Sequence, residues 1–121
     1  MATILIVDDT IIMRKAIRDI VEEAGHEVVG EAENGREAFE KYKELKPDLV
    51  TMDITMPVSD GIEGLELIID FDSRAKVLMC SALGQKALIV KAFQLGAANF
   101  IVKPFKKETV IQNINKIFSS F

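Results

Sequence analysis

The stretch Ile4-Leu5-Ile6-Val7-Asp8-Asp9-Thr10 runs four branched apolar residues into two adjacent carboxylates. Neighbouring carboxylates repel, and partial burial disfavours the ionised form of each, so the pair costs stability unless something nearby offsets it. A bound cation does so, reversing the like-charge penalty. Asp53, Ser81 and Lys103 stand at the ends of other apolar runs. Brought to one edge, these five side chains make an acidic site with one fixed cation beside it. Mg²⁺ suits that donor set because it is hard, uses few protein carboxylates and fills its octahedron with waters and phosphate oxygens. Mn²⁺, with the same taste for oxygen, is the natural substitute. Asp8-Asp9 would anchor the metal. A carboxylate held across from that pair is a nucleophile for a phosphoryl group, which assigns Asp53 an aspartyl phosphate. Charge in that transfer spreads over the phosphoryl oxygens, so Lys103 and Ser81 would each take one oxygen and the metal a third.

Something must carry these residues to one edge, and the sequence supplies it by alternation. Short apolar runs rich in β-branched residues fall at Thr3 to Asp8, Glu27 to Ala32, Asp48 to Asp53, Lys76 to Cys80 and Asn99 to Lys103. A segment with helical apolar spacing follows each. In the first, Met13, Ile17, Ile20 or Val21, and Ala24 form the stripe, Arg14, Arg18, Glu22 and Glu23 lie off it, and Gly25 stands at the C-terminal cap. The second, Arg36 to Leu45, is stopped by Pro47. The others span Gly61 to Phe71, Gln85 to Leu95 with Gly96 as its stop, and Lys107 to Phe118. Five βα units imply an α/β fold with a parallel sheet covered on both faces by right-handed crossovers. Ligands in such folds gather beyond the carboxyl ends of the strands, which is where Asp8, Asp9, Asp53, Ser81 and Lys103 stand.

The chain has 121 residues, 49% of them apolar and 28% charged, a composition for one domain spanning 1–121 with a core of its own. A net charge of −4 opposes nucleic-acid binding, which calls for a basic face. No apolar run nears the roughly 20 residues of a membrane span, and no leader segment is visible, so a cytoplasmic protein is expected. The single cysteine, Cys80, sits among Val77, Leu78 and Met79 and reads as packing, as do Met13, Met52, Met56 and Met79. His26, alone between Gly25 and Glu27, carries no metal or acid-base expectation. Lys106 and Lys107 read as a solvated helix start.

The acid pair after the first strand, Met52-Asp53-Ile54-Thr55-Met56-Pro57-Val58-Ser59-Asp60-Gly61, Cys80-Ser81-Ala82 and Lys103-Pro104-Phe105 together resemble the receiver domain of two-component response regulators across essentially the whole chain. The resemblance implies a doubly wound, flavodoxin-like (βα)5 sheet of order 2-1-3-4-5. It implies Asp53 as phosphoacceptor, Mg²⁺ on Asp8, Asp9, Asp53 and the Thr55 carbonyl, Ser81 as the switch hydroxyl and Lys103 as its partner. A cis peptide before Pro104 follows, as does a conformational switch at Phe100, which lacks the hydroxyl of the tyrosine often found there. Lys86, Ile89 and Phe100 would lie on a partner surface built from the fourth helix, fifth strand and fifth helix. The absence of an output domain resembles the chemotaxis regulators of the family, implying a monomeric, non-enzymatic messenger with a histidine kinase, a flagellar motor switch protein and an auxiliary phosphatase as partners. Thr55 and Leu83 would flank the phosphoryl cleft, and Leu83 offers an attacking water no polar group, so slow loss of phosphate is expected.

Alone, an Asp-Asp pair is commonly a helix cap, Lys103 a surface lysine and Ser81 a cap for the fourth helix; their joint occurrence at four strand ends outweighs those readings. A flavodoxin-like carrier needs a phosphate cradle where the acid pair stands. A haloacid-dehalogenase-like phosphatase needs a carboxylate where Thr55 stands, and no glycine-rich nucleotide loop is present. A scaffold signalling without phosphate, a phosphorelay carrier and the excised receiver of a larger regulator stay open as alternatives.

Overall fold

The computed structural model describes residues 1–119, so Ser120 and Phe121, the last of the expected domain span, lie outside the described residues. Strands β1 (Thr3–Val7), β2 (Glu27–Ala32), β3 (Leu49–Asp53), β4 (Val77–Ser81) and β5 (Asn99–Val102) alternate with helices α1 (Ile11–Glu23), α2 (Gly35–Leu45), α3 (Gly61–Phe71), α4 (Lys86–Leu95) and α5 (Lys107–Ser119). The strands form one parallel sheet of order β2-β1-β3-β4-β5, the order expected. Strand order reverses beside β1, so β1 and β3 diverge in their connections and leave a crevice at their carboxyl ends.

Side-chain alternation divides the core between the two faces of the sheet. Leu5, Val7, Val50, Met52, Val77 and Met79 pack with Tyr42, Leu65, Ile68 and Ala92 of α2, α3 and α4. Ile4, Ile6, Leu49, Leu78, Cys80 and Ile101 pack with Ile17, Val21, Val110, Ile114 and Ile117 of α1 and α5. Burial on both faces explains the nearly unbroken apolar runs, each fully buried Leu or Ile contributing about 2 kcal/mol. Cys80 is one of these core residues, and burial pushes its thiol up to about 12, with Lys103 opposing.

Strand ends differ from the expected bounds by a residue, and the difference matters at the site. β1 and β5 stop at Val7 and Val102, which leaves Asp8 and Lys103 as the first residues beyond the ladder. Their amides still bond the neighbouring strands, Asp8 N–H to the Ala32 carbonyl at 3.0 Å and Lys103 N–H to that of Ser81 at 2.7 Å. Asp53 and Ser81 end their strands from within. β4 starts at Val77 rather than Lys76, α2 at Gly35 rather than Arg36, and α4 at Lys86 rather than Gln85.

Two expectations for α1 are corrected. Ala24 is exposed, because the helix has already reached its cap there. Gly25, at φ 93°, follows that cap: its N–H bonds the Glu22 carbonyl and the His26 N–H that of Val21, closing the helix in a left-handed turn suited to glycine. Arg14 is buried rather than on the solvent face, since its guanidinium finds partners inside. His26 joins α1 to β2, its Nδ1 accepting from the Ala2 N–H at 3.0 Å, a structural role.

Candidate functional site

Asp8, Asp9 and Asp53 present carboxylate oxygens that all lie within 4.8 Å of one another. Asp8 and Asp53 are buried and Asp9 exposed, so the cluster opens to solvent on one side. Asp8 is held at three points. Its Oδ1 accepts from the Thr10 N–H at 2.9 Å and the Thr10 hydroxyl at 3.0 Å, and its Oδ2 accepts from Lys103 Nζ at 2.8 Å. Its backbone carbonyl accepts from Arg14 Nη1 at 2.7 Å. Lys103 also stands 3.3 Å from Asp53 Oδ1. The peptide joining Lys103 to Pro104 is cis.

Asp53 owes its place to close backbone packing. The Gly61 N–H bonds the Ile54 carbonyl at 2.8 Å, and a Cβ on Gly61 would stand 2.0 Å from the Asp53 carbonyl oxygen. Only glycine admits that approach, so the first residue of α3 sets the loop that carries Asp53. Asp60 caps α3 by accepting from the Glu63 N–H at 2.8 Å.

Electrostatics set the resting state. Burial raises the Asp53 carboxyl above the usual range, Asp8 and Asp9 add to the rise, and Lys103 opposes it. Burial works against the Lys103 charge, yet its bond to Asp8 and the nearby Asp53 outweigh that and raise it above an ordinary lysine. The one ammonium, shared between Asp8 and Asp53, offsets a single carboxylate charge and leaves the ionised cluster with two net negative charges. A hard divalent ion fits that deficit and that set of oxygens.

Ser81 is fully buried, and its hydroxyl has no hydrogen-bond partner, a condition it shares among the described residues only with Thr51. A buried hydroxyl without a partner costs free energy, and one at a strand end beside a carboxylate cluster marks a place where an oxygen-rich group would be welcome.

Several residues escaped the sequence reading. Thr10 both caps α1 and grips Asp8; its position directly after the acid pair was the available signal. Arg14 joins the Asp8 carbonyl to Glu31 Oε1 at 2.7 Å, while Arg18 reaches Glu31 Oε2 at 2.6 Å and holds that carboxyl below its usual range despite some burial. Nothing in a helical stripe distinguishes Arg14 from a solvent-facing arginine. Gln85 bridges two loops, accepting from the Ala82 N–H at 2.6 Å and donating to Thr55 Oγ1 at 2.7 Å. Lys107 pairs with Glu23, tying the start of α5 to the end of α1. On α4, Lys86 is exposed and Ile89 is half-buried against the core, while Leu88, Val90 and Phe93 carry the exposed apolar surface. Phe100 is half-buried and meets Phe93 edge to face at 5.8 Å. Leu83 is 80% exposed beside the site's loops.

Residues 4–115 match the family described as the response regulator receiver domain. The chain belongs to that family. As a receiver it is a signalling module of the two-component type, similar to chemotaxis regulators. The chemotaxis protein CheY of Thermotoga maritima is 54% identical over 114 residues, which cover 94% of this chain and 95% of that protein. CheY of Bacillus subtilis is 57% identical over 113 residues, covering 93% and 94%. Among solved structures, one from a CheX-CheY-BeF3-Mg²⁺ complex of Borrelia burgdorferi superimposes with a TM-score of 0.92 at 41% identity, covering 96% of this receiver and 88% of that chain. No helix of the described residues is long and apolar enough to cross a membrane.

Proposed function

We propose that this receiver accepts a phosphoryl group on Asp53 from a phosphohistidine of a sensor kinase and passes the signal on through its α4-β5-α5 surface. The observation that carries this reading is the buried, unpartnered Ser81 hydroxyl at the same edge as the Asp53–Lys103 pair. A carboxylate oxygen of Asp53 attacks phosphorus, the bond to the donor nitrogen breaks, and the imidazole leaves with its electron pair. Lys103 and Ser81 then have phosphoryl oxygens to bind, which supplies the hydroxyl with its missing partner. Mg²⁺ held by Asp8, Asp9, Asp53 and the Thr55 carbonyl would neutralise charge on those oxygens.

A dianion at this edge draws Ser81 and Lys103 toward it and so biases the elements that follow them, α4 and β5. Phe100 lies on β5 against Phe93, and its packing is the element that the switch would change. Val90 and Phe93, with Lys86 on the same side of the helix, form the apolar and basic face offered to a target. Likeness to the CheY proteins supports a flagellar motor switch as that target, and the CheX partner in the Borrelia burgdorferi complex supports an auxiliary phosphatase. Exposed Leu83 gives water no hydrogen bond, so the phosphoryl group is lost slowly without such help; Leu83→Glu should hasten its loss, and an unchanged rate would refute the point.

The test is incubation with acetyl phosphate, followed by intact mass. Wild type should gain one phosphoryl group only with Mg²⁺ present, and Asp53→Asn none; a wild type that never gains mass overturns the reading.

A further inference from the structure

We propose that the Gln85 carboxamide is a clasp between the loops following β3 and β4, and that it must release for Ser81 to engage a phosphoryl group; this rests on the Asp53 phosphoacceptor reading. Gln85 directly precedes α4 but makes no side-chain bond that caps it. Its two ends are used elsewhere. Oε1 accepts from the N–H of Ala82, the residue after Ser81, and Nε2 donates to the hydroxyl of Thr55, two residues beyond Asp53. One half-buried side chain thereby joins the two loops that border the phosphoacceptor.

The clasp coexists with a frustrated neighbour. Ser81 Oγ bonds neither Asp53 nor Lys103, nor anything else. Its engagement requires the backbone at 81 and 82 to readjust, and Ala82 is the point that Gln85 pins. The resting arrangement therefore satisfies Ala82 and Thr55 while leaving Ser81 unsatisfied, whereas the phosphorylated one satisfies Ser81 and must loosen the others. A contact made only in the resting state lowers affinity for the activating group by the factor it contributes to that state. Two exposed neutral hydrogen bonds are together worth roughly a three- to tenfold shift. Thr55, accepting from Gln85, is fixed by the same clasp, so the chemistry of the cleft wall and the position of the switch loop are set by one amide.

The experiment titrates wild type, Gln85→Ala, Gln85→Met, Thr55→Val and the double variant Gln85→Ala/Thr55→Val with beryllofluoride in Mg²⁺, following backbone amide resonances. Gln85→Ala and Gln85→Met should bind roughly three- to tenfold tighter, Thr55→Val by a smaller factor, and the double variant should match Gln85→Ala because both substitutions remove one shared link. Hydrogen exchange at the Ala82 amide, measured with no ligand added, should quicken in Gln85→Ala. If Gln85→Ala binds no tighter than wild type, or its Ala82 amide exchanges no faster, the clasp is wrong while the phosphoacceptor reading stands. If wild type itself fails to bind beryllofluoride, both fall together.

Discussion

Lys103 Nζ lies 2.8 Å from Asp8 Oδ2, joining the first residue beyond β5 to the first residue beyond β1 across the intervening strands. The pair is largely shielded from water, Asp8 almost completely, so it is stronger than a surface ion pair and fixes both groups in place. It also gives the acidic cluster an internal cation, and Asp53 shares that charge at a longer 3.3 Å. The carboxylate charge that Lys103 leaves uncompensated is what disposes the site toward a divalent ion and toward a phosphoryl group carrying its own metal.

Asp53→Asn should therefore stabilise the metal-free protein at neutral pH. The folded-state pKa of Asp53 is raised, first by burial and then by Asp8 and Asp9. Between the unfolded and folded values the folded chain binds more protons than the unfolded one, so stability from this group is greatest at low pH and is lost as pH rises through the folded pKa. The gain expected on substitution is on the order of 1 kcal/mol, or about 4 °C in Tm, shrinking as the buffer is made acidic. Melting curves of both proteins across pH in chelator test this; equal Tm values at neutral pH would contradict it.

Ser81→Ala separates stability from signalling. Removing a hydroxyl that is fully buried and unpartnered relieves a desolvation cost, so the resting protein should be unchanged or more stable by about 1 kcal/mol. Affinity for beryllofluoride should drop by about tenfold or more because a phosphoryl-oxygen donor is gone. A clear loss of resting stability would show that the hydroxyl already has a use.

Arg14→Ala should be the costly helix substitution. It removes a buried guanidinium from the Asp8 carbonyl and from Glu31, at 2.7 Å each, and leaves that carbonyl without its charged donor. A loss of about 2 to 3 kcal/mol is expected as a lower urea midpoint with an unchanged slope, together with weaker Mg²⁺ binding as Asp8 loses its support. Arg18 retains Glu31 in the variant, which limits the damage.

Val58→Gly should raise stability. Val58 is 85% exposed and sits at φ 73°, in a three-residue turn closed by the Ser59 N–H and the Pro57 carbonyl at 2.8 Å. A β-branched residue there is strained by about 1 to 2 kcal/mol, against a glycine entropy cost of about 0.5 to 1 kcal/mol. A net gain of about 0.5 to 1 kcal/mol in the denaturant midpoint is the expected result, and a lower midpoint would mean the turn gains something from the valine.

Alternating apolar runs and helical stripes made the five βα units legible because a strand buried on both faces and an amphipathic helix each write a distinct period into the chain. Residues such as Asp8, Asp53, Ser81 and Lys103 stood out because parallel strands must deliver their ends to one edge, so position in the alternation is also position in space. What the chain alone did not reveal were contacts made between elements: Arg14 turned inward onto Asp8 and Glu31, Gln85 spanning to Thr55, and α4 presenting Leu88, Val90 and Phe93 rather than Ile89. Arg14 has the same local context as a solvated arginine, and Gln85 that of a helix cap. Tertiary packing alone decides which partners stand within reach, since hydrogen bonds and burial depend on three-dimensional distance between residues whose separation along the chain leaves no periodic trace.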